Sequence, residues 1–311
     1  MNALTQEIEE YLFYCQYQKE LDQKTIKAYR IDLNQLFSFL SLESTMETIE
    51  KEDMNRYLYY LHATYKQKTV KRKIASTKAY YSYLIDEERI AVSPYEGIKT
   101  RFREEIILPR TIPRDTIQEL LRYLYMQRAK SADFDNRERI LTRDIAVIEM
   151  LFATGLRISE LCHLRNDMFD MREGVLCIKG KGAKERYLQI ENLDVMQILK
   201  QYKTMFQKEI EREGYFFVNK YGRQLSEQSA RQMIAKHVSG AAIELHITPH
   251  MFRHSFATLL LEEDVDIRYI QKMLGHSSIV TTQIYTYVAS GKQREILRLK
   301  HPRNQMQVGI M

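Results

Sequence analysis

The chain has 311 residues, with 47 Lys and Arg against 41 Asp and Glu, a formal net charge of +6 that favours polyanionic partners. At 28% charged and 44% hydrophobic, with 11 Gly and 5 Pro, it is neither disordered nor fibrous, and at roughly 150 residues per domain it holds about two domains. Cys15, Cys162 and Cys177 are too few and too dispersed for a disulfide framework or a thiolate zinc site, and an acidic N-terminal stretch without a long uncharged apolar run argues against a signal peptide or a membrane span, leaving a cytoplasmic protein with reduced thiols.

In chain order, Leu4, Ile8 and Leu12 make a short helical stripe, and Ile26, Tyr29, Leu33, Leu36, Phe37 and Leu40 a longer one. Met54, Leu58 and Leu61 predict a third helix. Val70, Ile74, Tyr81 and Leu84 predict a fourth from about Lys68 to Ile85, so the first ninety or so residues read as a small helical domain. Residues 64–83 carry Lys66, Lys68, Lys71, Arg72, Lys73 and Lys78, interleaved with tyrosines and without an acid of their own. Such a run is either a solvated helix face or a surface for phosphates, and the missing acid favours phosphates. Pro94, Pro109 and Pro113 fall within one short stretch and force extended backbone, which places a linker at 101–112.

Beyond the linker a helix is predicted from Arg114 to about Tyr125, then a charged surface loop over 127–139, then the apolar helix ILTRDIAVIEMLFATG. GVLCIKGKGAKERYLQI breaks the helical period: VLCI and RYLQI flank a Gly/Lys turn, a β-hairpin with its tip near 180–183. Helical spacing returns after Asn192, pauses at the strand-like YFFVN and continues to about Lys300. The fold class is mainly α, with a small β-hairpin in the second domain.

Four strings carry candidate chemistry: ATGLRISEL (153–161), GKGAK (180–184), HMFRH (250–254) and LGHSSIVTTQIYT (274–286). Singly, each has an ordinary structural reading. Arg157 can form an ion pair with Glu160, Lys181 can sit in a plain hairpin turn, and Tyr285 is one of 21 tyrosines. His246, His250 and His254 invite a metal, but Pro249 starts a helix after His246, and HMFRH lacks the glutamate of a hydrolytic zinc motif, so no metal is expected. His250 and Arg253, three apart, are neighbours on one helical face and can reach one anion.

Taken together, Arg157, Lys181, His250 with Arg253, His276 and Tyr285, in that order and within ATGLRISEL, GKGAKER, TPHMFRHSFAT and LGHSSIVTTQIYTYV, resemble the tyrosine recombinases, or phage integrase family, over nearly the whole chain and most closely the Xer-like subgroup. The resemblance implies a helical core-binding (SAM-like) DNA-binding domain over 1–100 and a mixed, mostly helical catalytic domain over 113–311. It places the basic stretch against double-stranded DNA carrying a specific core site. It makes Arg157, Arg253 and His276 phosphate donors, His250 a proton acceptor, Lys181 the general acid, Glu160 the acid that orients the cations, and Tyr285 the nucleophile, with no cofactor. No arm-binding domain is expected before residue 1.

The resemblance further implies that the segment containing Ile296, Leu297 and Leu299 docks into a neighbouring subunit, giving a homo- or hetero-tetramer on DNA; packing on its own domain is the alternative. The implied setting is the bacterial cytoplasm at the nucleoid, in chromosome-dimer resolution (chromosome partition) or in integration and excision of a mobile element. The long charged loop near 127–140 leans toward the mobile element. A type IB topoisomerase and a telomere resolvase use similar residues, and a catalytically silent DNA-binding regulator is the reading from another class, though its signature, decay of the active-site set, is not seen.

Overall fold

A computed structural model describes residues 3–40, 49–100, 110–131, 136–179 and 185–275. The chain divides into two compact units, Met1–Glu105 and Ile106–Met311.

The first unit contains α1 (Ala3–Tyr17), α2 (Gln23–Leu40), α3 (Lys51–Thr64) and α4 (Gln67–Asp86). The helices form where the apolar spacing puts them: Ile26, Leu33, Leu36 and Phe37 line the buried face of α2, and Val70, Ile74, Tyr80, Tyr81 and Leu84 that of α4. A reciprocal cap starts α3, with Glu50 donating its backbone N–H to Asp53 Oδ2 at 3.0 Å. The core is rich in tyrosine. Tyr11 meets Tyr80 edge-on at 5.1 Å, Tyr80 meets Tyr81 at 5.6 Å, and Tyr81 meets Tyr95 at 5.9 Å, geometries that add to the roughly 2–3 kcal/mol gained by burying each ring.

One acid lies inside this core. Asp32 of α2 is fully buried, and its carboxylate accepts from Lys73 Nζ at 2.9 Å, from Ser76 Oγ at 2.9 Å and from Arg72. Lys73, only 3% exposed, also donates to Gln35 Oε1 and lies 5.1 Å from the centre of the Tyr65 ring. The basic stretch therefore has a compensating acid, contributed by another helix. Lys73 is a buried partner of Asp32 rather than a surface cation, because an ammonium in the interior requires a fixed counter-charge.

In the second unit, α6 (Asn136–Thr154) is the central element. Residues 141–151 are buried all round, as expected of a helix with neighbours on every side. It packs against α5 (Arg114–Ala129), α8 (Leu193–Met205), α10 (Glu227–Gly240) and α11 (Pro249–Glu262). Between α6 and α8 run α7 (Ile158–Cys162), a 3₁₀ turn (Asn166–Met168) and an antiparallel sheet in the order β1 (Phe169–Asp170), β2 (Val175–Lys179), β3 (Glu185–Gln189). Leu176 faces both Phe169 and Leu188, all three buried. A short α9 (Gln207–Glu213) follows α8, and α12 (Ile267–Leu274) follows α11.

Three sequence expectations change. The loop expected over 127–139 is shorter, since α5 extends to Ala129 and α6 begins at Asn136. The hairpin gains β1 as a third strand. The centre of YFFVN, Phe216, Phe217 and Val218, is buried, yet the segment is no strand: it makes only the single bridges Arg165–Tyr215 and Val218–Gln224. Tyr202 of α8 explains this, because its hydroxyl donates to Phe216 O and accepts from Val218 N, both at 2.9 Å, taking the backbone groups a neighbouring strand would use. Among the described residues no helix is long and apolar enough to cross a membrane.

Candidate active site

The turn from α6 into α7 places the first arginine. Gly155 adopts a left-handed backbone (φ +62°), and a Cβ there would lie 2.6 Å from Phe256, so only glycine makes the turn. Arg157 follows as the N-cap of α7, with its N–H donating to Glu160 Oε2 at 2.8 Å and its Nη1 to Oε1 at 2.9 Å. The structural reading of Arg157, an ion pair with Glu160, therefore holds, and the side chain is still 38% exposed.

Glu160 is shared. Arg186 of β3 forks onto it, Nη1 to Oε1 at 3.0 Å and Nη2 to Oε2 at 2.8 Å, while its Nε donates to Met273 O at 2.9 Å. Arg253 Nη1 lies 4.0 Å from Glu160 Oε2. Burial pushes the Glu160 carboxyl up, but the hydrogen bonds and charge of Arg186, then those of Arg157, outweigh it and hold the group below the usual glutamate range. A carboxylate favoured in its ionised form thus sits among three guanidiniums.

Arg253 and His250 come from α11, which starts at Pro249 after the N-cap Thr248, as the sequence predicts. Arg253 is 4% exposed; its Nη1 donates to Gly155 O at 2.9 Å and its Nη2 to Leu274 O at 2.6 Å, closing the α6–α7 turn and the end of α12 onto one side chain. The outer face of His250 is open to solvent. Burial of its inner side, then the charges of Arg253, Arg231 and Arg157, hold its imidazole below the ordinary histidine value, and Glu227 opposes them. A neutral imidazole with a lone pair to offer results. One turn on, burial, His250 and Arg253 push His254 down to about 4. His246 precedes α11 and is not part of it, and no group of three or more His, Cys, Asp or Glu among the described residues could hold a metal ion.

Arg157, Glu160, His250 and Arg253 therefore meet in one place. Lys181, His276 and Tyr285 lie outside the described residues, as do the hairpin tip and the segment after 275. Two residues absent from the sequence reading join the site. Arg186 was visible only as a flank of GKGAKER, and nothing in its spacing marks it as a partner of Glu160. Arg231 lies one turn into α10, donating from Nη2 to Glu227 Oε2 at 2.6 Å; α10 packs on α7, and Gln224 just before it donates to Cys162 O at 2.9 Å.

The basic residues of the first unit divide by environment. Lys66, Lys68 and Lys71 are exposed, and Arg72 is about half exposed while bonded to Asp32. Lys68, Lys71 and Arg72 have the spacing of one helical stripe. Lys78 is partly buried, donating to Thr100 Oγ1 at 2.7 Å beside the Tyr95 ring.

Residues 122–292 match the phage integrase family, and residues 8–88 match the phage integrase N-terminal SAM-like domain. A tyrosine recombinase of Agathobacter rectalis is 51% identical over 97% of this chain and 98% of its own length. Tyrosine recombinase XerD of Listeria innocua is 32% identical over 95% and 98%. Among solved structures, a post-cleavage complex of the XerH site-specific recombinase bound to palindromic difH DNA superposes with a TM-score of 0.75 at 20% identity, covering 94% of this chain and 83% of that one, and shares the fold.

Proposed function

We propose that this chain, which belongs to the phage integrase family and is a site-specific tyrosine recombinase, cleaves double-stranded DNA at a core site through Tyr285 and rejoins it through a 3′-phosphotyrosyl intermediate. The observation that carries this reading is the convergence of Arg157 and Arg253 on one ionised glutamate, with His250 near enough to both arginines to feel their charge.

A phosphodiester is an anion that repels nucleophiles, so fixed positive charge at its non-bridging oxygens is the largest single contribution a protein can make. Guanidinium is permanently charged and forks onto two oxygens, which suits Arg157 and Arg253. Their internal bonds fix the direction of both guanidiniums before substrate arrives. His250, held neutral at pH 7, is chemically suited to take the phenolic proton as Tyr285 Oη attacks phosphorus. The P–O5′ bond then breaks, and Lys181 supplies the proton that the departing 5′-oxygen requires. His276 adds a donor to the phosphate. Because the phosphotyrosyl ester keeps the bond energy, a 5′-hydroxyl from another strand reverses the attack without ATP.

In this reading the first unit grips the duplex through Lys66, Lys68 and Lys71 with Arg72, and the segment with Ile296, Leu297 and Leu299 links protomers in a tetramer on two DNA sites. The work is either resolution of chromosome dimers or integration and excision of a mobile element.

Covalent trapping tests the proposal. The protein is incubated with sheared DNA of its source genome, denatured, and the attached DNA sequenced, with Tyr285→Phe as control. Adducts that depend on Tyr285 and focus on one repeat pair are expected, and their position, chromosomal or at the ends of an element, identifies the setting. Adducts that persist in Tyr285→Phe refute the nucleophile, and scattered adducts refute site specificity.

A further inference from the structure

We infer that Arg186 is a positioning residue of this active site: by filling the Glu160 carboxylate and gripping the end of α12, it holds Arg157 and Arg253 in the aim that the substrate phosphate requires. The inference rests on the recombinase mechanism proposed above.

A carboxylate offers about four lone-pair directions. Those of Glu160 are met by Arg157 N–H, Arg157 Nη1, Arg186 Nη1 and Arg186 Nη2. Arg186 therefore supplies half of the donors to a side chain only 10% exposed. Its third donating nitrogen, Nε, goes to Met273 O, so all three nitrogens of the Arg186 guanidinium are already bonded within the protein. It is not itself placed to hold substrate.

Removing Arg186 leaves a buried carboxylate short of two charged donors, and such a group recruits the nearest cations. Those are Arg157, already bonded, and Arg253, whose Nη1 stands 4.0 Å away and is currently aimed at Gly155 O. An arginine drawn onto Glu160 is misaimed for the phosphate. Arg186 thus acts by competition, satisfying the acid so that Arg157 and Arg253 need not.

The second grip is on α12. The last carbonyls of a helix lack partners within it. Here two guanidiniums meet them, Arg186 at Met273 O and Arg253 at Leu274 O, the polarity that also suits the helix dipole. Gly275 ends the helix with φ +65°, and a Cβ on it would lie 3.1 Å from Arg186 Cδ and Nη1, so the arginine stem forms the surface on which the chain turns. A lysine could place one ammonium near Glu160, but it could not fork onto both oxygens and reach Met273 O as well.

The test measures single-turnover cleavage of a nicked duplex carrying the core site recovered by covalent trapping, with DNA affinity and melting temperature measured in parallel on the full chain. Arg186→Met is expected to slow cleavage about 100-fold, the cost of a displacement of about 1 Å at the reacting centre, with DNA affinity retained. Arg186→Lys is expected to lose about tenfold. Glu160→Gln added to Arg186→Met is expected to recover about tenfold of the loss, because an amide does not draw the arginines; simple loss of packing would give no such rescue. A double variant no faster than Arg186→Met, or Arg186→Lys at full rate, overturns the inference. Hydrogen exchange of the Gly275 amide needs no DNA and should quicken in Arg186→Met; unchanged exchange overturns the grip on α12. Wild-type protein that forms no adduct at Tyr285 refutes the recombinase mechanism instead, a result distinct from any of these.

Discussion

Replacing Asp32 by Asn probes the buried charge network of the first unit. In the wild type the carboxylate is fully buried and accepts from Lys73 Nζ and Ser76 Oγ, both at 2.9 Å, and from Arg72. The side chain of Lys73 is only 4% exposed. Asn keeps the shape but removes the negative charge, leaving an ammonium in the interior with only neutral acceptors, the Asn amide oxygen and Gln35 Oε1, and the Tyr65 ring for compensation. Losing one partner of such a pair costs about 3–5 kcal/mol, at least a fifth and up to the whole of the roughly 5–15 kcal/mol that holds a typical domain folded. Lys73→Met should cost less, about 1–3 kcal/mol, since Arg72 and Ser76 still serve the acid. The double variant Asp32→Asn with Lys73→Met removes both charges at once and should cost about 2–3 kcal/mol less than the sum of the singles. Urea titration followed by circular dichroism and tyrosine fluorescence measures all four proteins; the chain has no Trp, so tyrosine emission is not masked. Singles that add without coupling, or an Asp32→Asn cost below about 1 kcal/mol, would refute the reasoning.

The same burial separates neighbouring cations in DNA binding. Lys68→Gln with Lys71→Gln should lower the slope of log affinity against log salt by about 2, whereas Lys73→Met should leave it unchanged, and equal effects would contradict the placement of Lys73. If His250 must be neutral to accept the phenolic proton, cleavage rises with pH through its pKa, which burial, Arg253, Arg231 and Arg157 hold below the ordinary value. Arg231→Gln removes one of those charges and should move the acid limb of the pH–rate profile upward; Glu227→Gln removes the opposing charge and should move it downward. Limbs shifting in the same direction would count against His250 as acceptor. The Tyr81 hydroxyl is fully buried without a hydrogen-bond partner, so Tyr81→Phe should leave the melting temperature unchanged or raise it by the equivalent of up to about 1 kcal/mol; a drop worth about 2 kcal/mol would show that the hydroxyl is satisfied.

Local signals in the sequence reached as far as local physics does. The apolar spacing of α2 and α4 is set by burial of one helical face, and it located both helices within a few residues. Pro249 marked the first turn of α11 because its ring fits there and its missing N–H is no loss. Periodicity could not reveal partners distant in sequence. The acid that neutralises Lys73 lies 41 residues away on α2, so a stretch without its own acid looked unpaired. The hydroxyl that keeps YFFVN from being a strand belongs to Tyr202. The candidate site was legible through its motif strings, which brought Arg157, Glu160, His250 and Arg253 to one place, whereas Arg186 and Arg231 emerged only when β3 and α10 were seen against α7.

The position of Arg253 bears on how such a protein could lose its activity. Its bonds to Gly155 O and Leu274 O join the turn between α6 and α7 to the end of α12, and at 4% exposure it is part of the interior as much as of the site. A descendant kept only to hold DNA would still need that arginine as a brace, so selection for folding alone would preserve it. Arg157, 38% exposed, is less constrained by packing and would be freer to drift. In a degenerate relative, an intact arginine at this position would therefore report a sound fold rather than a working enzyme.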